Sequence, residues 1–231
     1  MKHQRRLVAY SGSPAATAIL RSLTADGGAD VVTLTLDLGQ FPDLGQVRDA
    51  ALAAGAVRAH VLDVREEFAR NYLLPALDAG ITADGWLPLV RTLGRPLVAV
   101  KLREMAAIEE AMIAVGEEGY DLDASIVGRV VTDDRYRLTK SVAATPAAAA
   151  DVEVRFEQGV PVAINDVTMS LTELIESMAT IAGQHGVGRL TAVEAPAAVL
   201  LQAALRAQQD GKARLTLFRS TVAEHKELVN R

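Results

Sequence analysis

The 231-residue chain has no cysteine, which removes disulfides, zinc–thiolate sites and thiol catalysis from consideration. Histidine is scarce. His3, His60, His185 and His225 are scattered without the spacing of a metal-ligand set, and no metal site is assigned. No apolar run approaches the ~20 residues that a bilayer-spanning helix needs, although half of the residues are apolar. The basic opening Met1-Lys2-His3-Gln4-Arg5-Arg6 leads into only a brief apolar stretch, not the longer core and small-residue cleavage site of a secretory signal. A cytoplasmic location is expected. The net charge of −5 argues against a nucleic-acid surface, so neither nucleic acid nor membrane is expected as a partner.

What is present is a chain long enough for one large domain or two small ones, with ample apolar residues for a core. The first part alternates strand and helix signals. Leu7–Tyr10, Val31–Leu36 and Val57–Leu62 read as strands, and Ala15–Leu23 and Leu44–Ala54 carry helical spacing, each stopped near glycine. Strands separated by crossover helices predict an open, doubly wound α/β layer with a parallel sheet. Helices are predicted over Glu66–Leu77 and Leu97–Val115. Beyond the alanine-rich connector 143–150, Val152–Glu157 and Val160–Ile164 flank Gln158-Gly159 as a β-hairpin. Ser170 and Glu173 form a capping box for a helix Leu171–Ala182, and His185-Gly186 reads as a helix stop. Two last helices are predicted over Pro196–Gln209 and Ser220–Val229.

The feature most pointed towards chemistry is the turn Ala9-Tyr10-Ser11-Gly12-Ser13-Pro14-Ala15-Ala16-Thr17, between the first strand and the first helix. Small residues there let backbone N–H groups and a helix N-terminus face an anion. The same residues also serve as a plain strand-to-helix turn capped by Ser11 or Ser13. A second strand end, Asp37-Leu38-Gly39-Gln40, lies at the same carboxyl edge, where open α/β sheets bind ligands; a turn capped by Asp37 is the competing reading. Arg95, before Pro96, suits a phosphate or carboxylate, but an ion pair with Asp84 or a helix terminus is the favoured reading, since ion pairs are commoner than sites. Asp121 and Asp123 read as a solvated loop, and Glu66-Glu67 as first-turn helix charge.

The Ser11–Thr17 turn resembles the pyrophosphate loop S-G-G-x-D-[ST]-[ST] of the N-type ATP pyrophosphatases. The order of further motifs is similar to argininosuccinate synthase: Asp37-Leu38-Gly39-Gln40, Asp63–Phe68, Arg95-Pro96-Leu97, Tyr136–Lys140, Phe156–Asn165, His185–Arg189 and Glu194-Ala195-Pro196-Ala197. This resemblance implies an adenine-nucleotide α-hydrolase (HUP) type sheet over 1–119 and a reduced α+β synthetase-like domain over 120–231. The family joins citrulline to aspartate, splitting ATP to AMP and pyrophosphate through a citrullyl-adenylate. The resemblance places nucleotide contacts at Ala9, Tyr10, Ser11, Gly12, Ser13, Thr17, Leu36, Asp37, Gly39 and Gln40, and substrate contacts at Thr92, Arg95 and Glu194, with ATP and Mg²⁺ as cofactors.

The chain departs from the family pattern at the chemistry. Ala15 stands for the loop Asp, Ser13 for its second Gly, and Pro14 has no N–H; Leu87 stands for a citrulline-binding Tyr. The family's H-G-C-T-G-K-G-N-D-Q segment has no counterpart between Gly119 and Tyr120. Further stretches are missing near Thr132-Asp133-Asp134 and before Glu194, as is the tail helix of the family tetramer. No catalytic residue is assigned. The resemblance implies a scaffold with weak ATP or AMP binding and its ligase activity lost or altered. Alternatives are a carbon–nitrogen ligase of altered substrate, taking an amino acid, or a non-catalytic interaction protein. A homodimer or pairing with another protein is left open.

Overall fold

The computed structural model describes residues 4–25, 27–40, 43–81, 85–132 and 135–225. They form two compact units, Met1–Arg65 with Arg91–Asp123 and Glu66–Val90 with Ala124–Arg231.

The first unit is built on a four-stranded sheet of β1 (Gln4–Ala9), β2 (Ala29–Asp37), β3 (Arg58–Asp63) and β4 (Ala111–Val115), in the order β3-β2-β1-β4. Every pairing is parallel, as the alternating strand and helix signals predict. Helices α1 (Pro14–Ala25) and α2 (Leu44–Ala53) cover one face, enclosing Val8, Tyr10, Ala16, Leu20, Val31, Val47 and Ala51. Strand alternation sends Leu7, Val32, Leu34 and Leu36, all buried, to the other face. There lies a longer helix, formed in the second half of the unit, which packs against β1, β2 and β4. Central parallel strands are therefore buried on both sides, which is why they read as continuous apolar runs.

That helix corrects the sequence reading. The predicted Leu97–Val115 helix stops at Glu109 (observed Arg95–Glu109), because Glu110 adopts a left-handed conformation with φ 50°. Ala111-Met112-Ile113-Ala114-Val115 then becomes β4, with Arg5 opposite Ala111 and Leu7 opposite Ile113. A short run of apolar residues carries no periodicity that separates helix from strand.

At the sheet's amino end, opposite the loops, Glu109 is 3% exposed and ties β1 to β3. It accepts hydrogen bonds from Arg5 Nη1 and Arg58 Nη1, both at 3.1 Å, and pairs with His60 Nε2 at 2.8 Å. Burial pushes this carboxyl up, but the bonds from His60 and Arg58 outweigh it and hold it below its ordinary value.

In the second unit a helical stretch starts as Arg65–Phe68, widens into a π-turn at Ala69–Leu73 and closes as Leu74–Asp78. A further helix, Trp86–Thr92, begins in this unit and ends with Arg91 and Thr92 in the first. A small sheet of the unit, ordered β10-β11-β6-β5, joins β5 (Ala124–Ser125), β6 (Gly128–Val130), β10 (Arg189–Leu190) and β11 (Val193–Glu194). The main sheet, ordered β13-β12-β7-β8-β9, has five strands: β7 (Ala150–Glu157), β8 (Val160–Ile164), β9 (Val167–Thr168), β12 (Lys212–Phe218) and β13 (Thr221–His225). The predicted hairpin turns at Gln158-Gly159, both with positive φ, the geometry of a type I′ turn. Ser170 and Glu173 form the capping box of a helix Leu171–Gln184. This helix continues through Gly183, where a stop was predicted; a Cβ there would collide with the Leu138 carbonyl. The glycine serves close approach, and His185-Gly186 ends the helix as expected.

The helix predicted over Ser220–Val229 is also corrected. Arg219 and Ser220 both take positive φ and turn the chain into β13, antiparallel to β12; residues 226–229 lie outside the described residues. The helix Pro196–Ala207 lies beside the Leu171–Gln184 helix over this sheet. No helix among the described residues is long and apolar enough to cross a membrane.

Candidate functional site

Parallel pairing of β1 and β2 puts their carboxyl ends side by side, so the Ser11–Thr17 turn and the Asp37–Gln40 turn sit at one edge of the first unit. Gly12 has φ 78°, and a Cβ there would press on the Val47 methyls at 3.0 Å. Glycine is therefore required for the chain to leave β1 at this angle.

The turn satisfies much of its own polarity. Ser13 caps α1, its Oγ accepting from the Ala16 N–H at 3.2 Å and its carbonyl from the Thr17 N–H at 2.9 Å. Ser11 Oγ accepts from the Ser13 N–H at 3.4 Å. Thr17 Oγ1 donates to the Ser13 carbonyl at 3.0 Å and contacts the Tyr10 hydroxyl at 2.9 Å. Pro14 has no N–H. The amides of Ser11, Gly12 and Ala15 are left without a partner among the described residues, and Ser11, Gly12 and Ser13 are partly open to solvent. Amides left unpaired in a strand-to-helix turn are donors for phosphate-like oxygens. No carboxylate stands among them, and no group of three metal-ligating side chains occurs among the described residues.

The neighbouring turn is closed on itself. Asp37 Oδ1 accepts from the Gly39 N–H at 2.8 Å, and Asp37 Oδ2 lies 3.4 Å from Arg65 Nε. Gln40 accepts from the Leu38 N–H at 2.7 Å and donates to the Leu36 carbonyl at 2.6 Å. Tyr120, 1% exposed, places its hydroxyl on Leu36, accepting from the N–H at 2.9 Å and donating to the carbonyl at 3.0 Å. Burial pushes the Tyr120 phenol far up and keeps it protonated. Tyr120 was not legible as a site residue, since it sits in a loop with only Gly119 and Asp121 as neighbours.

Arg95 opens its helix and bonds backbone carbonyls, Glu117 O at 3.1 Å and Arg91 O at 3.4 Å. That is the helix-terminus alternative; Asp84 lies outside the described residues. Thr92 is an exposed residue at the last position of the Trp86–Thr92 helix. Asp123 pairs with Arg91 at 2.9 Å and donates its N–H to Asp121, an ordinary loop.

Glu194 belongs to the second unit and is fully buried. Its carboxylate accepts the N–H groups of Arg137, Leu138 and Thr139 at 2.8–3.0 Å, the Thr139 hydroxyl at 2.8 Å and Arg129 Nη1 at 3.0 Å. Desolvation pushes this carboxyl up, yet the donated hydrogen bonds prevail and lower it. Both carboxylate oxygens of Glu194 are bonded internally and the residue has no exposed surface. It fastens the loop 137–139, which Arg189 clamps by stacking 3.4 Å over the Tyr136 ring and donating to the Thr139 carbonyl.

Comparison with known proteins agrees with this architecture. The family model "Arginosuccinate synthase N-terminal HUP domain" matches residues 5–125, and "Arginosuccinate synthase C-terminal domain" matches residues 107–221. Argininosuccinate synthase of Streptococcus suis (strain 05ZYH33) is 30% identical over 260 aligned positions, covering 84% of this chain and 65% of its own. The protein of that name from Synechococcus elongatus is 30% identical, covering 83% and 64%, and that from Geobacillus sp. (strain WCH70) 31%, covering 84% and 64%. The chain thus spans less than two thirds of these relatives' length. The aligned span of 260 positions exceeds the 231 residues of the chain, so the relatives carry residues inside it that this chain lacks. Among solved structures, an NAD⁺ synthetase from Burkholderia pseudomallei overlaps 47% of this chain and 43% of its own at 19% identity and TM-score 0.32, too slight a likeness to bear on the site. Two overlapping domain models that together span residues 5–221, over a parallel sheet with its loops at the carboxyl edge, settle the ancestry: the chain belongs to the argininosuccinate synthase family.

Proposed function

We propose that this protein is an adenine-nucleotide-binding scaffold of the argininosuccinate synthase family that binds ATP or AMP weakly and does not by itself join citrulline to aspartate. The observation that carries the reading is the Ser11–Thr17 turn. It keeps three amides with no partner among the described residues, from Ser11, Gly12 and Ala15, and lacks the family's charged, metal-directed group, with alanine at 15 and proline at 14. Donors of this kind fit phosphate oxygens. Mg²⁺, lacking a carboxylate here, would arrive on the nucleotide and be held by its phosphates.

Adenylyl transfer needs donors and metal placed where charge develops, and losing one such group costs ~10²–10³ in rate. This turn lacks more than one, and Glu194 is engaged inside the second unit. A small-molecule nucleotide is the proposed partner. Soluble cytoplasmic residence and pairing with a second copy or another protein belong to the same proposal.

Calorimetry with ATP, AMP and Mg²⁺ tests the binding, with weak but measurable heats expected. Absence of heat and of thermal shift at millimolar nucleotide would leave an interaction protein. Release of pyrophosphate with any amino acid or ureido compound would replace this reading with a ligase of altered substrate.

A further inference from the structure

Along β2, backbone groups alternate between neighbours with a period of two. The carbonyls of Val31 and Asp37 accept from Val57 and Val64 on the β3 side, whereas that of Leu34 accepts from the Tyr10 N–H on the β1 side. Leu36, two residues on from Leu34, therefore presents both its N–H and its C=O towards β1. The β1–β2 pairing ends at Ala9 opposite Leu34, and the chain has turned away at Ser11-Gly12. Leu36 is left with a donor and an acceptor side by side, facing a slot past the end of β1 that no strand among the described residues fills.

An adjacent N–H and C=O complement an adjacent acceptor and donor, which is what the N1 and N6 amino group of adenine offer. In this protein a hydroxyl, itself both donor and acceptor, takes both positions. Tyr120 Oη accepts from the Leu36 N–H at 2.9 Å and donates to its carbonyl at 3.0 Å. Gln40 Nε2 reinforces it at 3.3 Å. Leu122, 3% exposed, packs with Leu38 around Gly94, where a Cβ would lie 3.0 Å from Leu38 and 3.4 Å from Leu122.

We infer that Tyr120 is a built-in occupant of the base-binding slot, so that an adenine ring enters only when the 120–123 segment withdraws from Leu36. The inference rests on the nucleotide-binding reading and adds regulation to the same site. A slot open in one molecule of a hundred weakens apparent affinity about 100-fold, so weak binding follows from the plug without any defect in the slot.

The test titrates the full chain with adenosine, which reports the slot, and separately with inorganic pyrophosphate, which reports the turn. Tyr120→Ala is expected to tighten adenosine binding at least tenfold. Tyr120→Phe keeps the ring and removes both bonds to Leu36, and a gain of about threefold or more is expected; this variant decides if Tyr120→Ala does not fold. Pyrophosphate affinity is expected to stay within about twofold of the parent chain in both. Adenosine affinity unchanged or reduced in every folded variant overturns the plug, whatever pyrophosphate does. Pyrophosphate bound by none of the chains removes the nucleotide reading of the turn, while the adenosine titration still decides Tyr120.

Discussion

The amides of Arg137, Leu138 and Thr139 and those of Ser11, Gly12 and Ala15 are the same device in two conditions. In the second unit the ligand is internal. Glu194 fills the cradle, is fully buried and accepts from three successive N–H groups, a hydroxyl and a guanidinium. In the first unit no side chain among the described residues bonds the amides of Ser11, Gly12 and Ala15, and the helix cap from Ser13 uses only part of the donor set. A backbone cradle holding a buried carboxylate stabilises the fold. One left partly exposed is available to an external anion, and that difference separates structural anchors from candidate sites.

Emptying the filled cradle gives the largest expected effect. Glu194→Gln removes a charge with five donors aimed at it, and loss of about 3–5 kcal/mol of stability is expected from urea unfolding. The same contrast appears with pH. Glu194 and Glu109 are both held below the ordinary glutamate value of 4.5. A depressed native value means the stabilisation is complete above the unfolded-state pKa and fades as pH falls through the native one. Unfolding midpoints measured from pH 7 downwards should hold steady to about 5 and decline below 4.5, less steeply in Glu194→Gln.

Glu109 adds a third condition, a carboxylate gripped by side chains instead of amides. Arg5 and Arg58 are 37% and 56% exposed and can return to water. Glu109→Gln should therefore cost less, about 1–3 kcal/mol by the same measurement; a loss equal to that of Glu194→Gln would erase the distinction between the two grips.

At the open cradle the expected changes are smaller and fall on ligand affinity. Ala15→Asp restores a carboxylate to the first turn of α1, where a metal on bound phosphates would meet it. Mg-ATP affinity is expected to rise about tenfold (~1.4 kcal/mol) by calorimetry, and no rise would mean that the turn does not face phosphate. Ser13→Ala removes the cap of α1 and should cost about 1 kcal/mol, while freeing the Ala16 N–H. Pyrophosphate should then bind no more weakly than before.

Much of this was legible in the chain. Apolar stretches split by helix-spaced segments determined a parallel sheet, and short-range chemistry determined the Gln158-Gly159 turn, the Ser170–Glu173 box and the Ser11-Gly12 exit, because such features depend on residues a few positions apart. The sequence also carried its ancestry, through motif order. Tertiary structure decided the rest. Ala111–Val115 became a strand because Glu110 turned left-handed and β1 offered an edge. Position 183, inside its helix, needs glycine because the Leu138 carbonyl lies against it. Glu194 became an anchor and Tyr120 a plug through partners 55–57 and 84 positions away. Pairings at that separation leave no local periodicity or composition. They arise only when burial strips water from a polar group and makes whichever donor or acceptor lies nearest its obligatory partner.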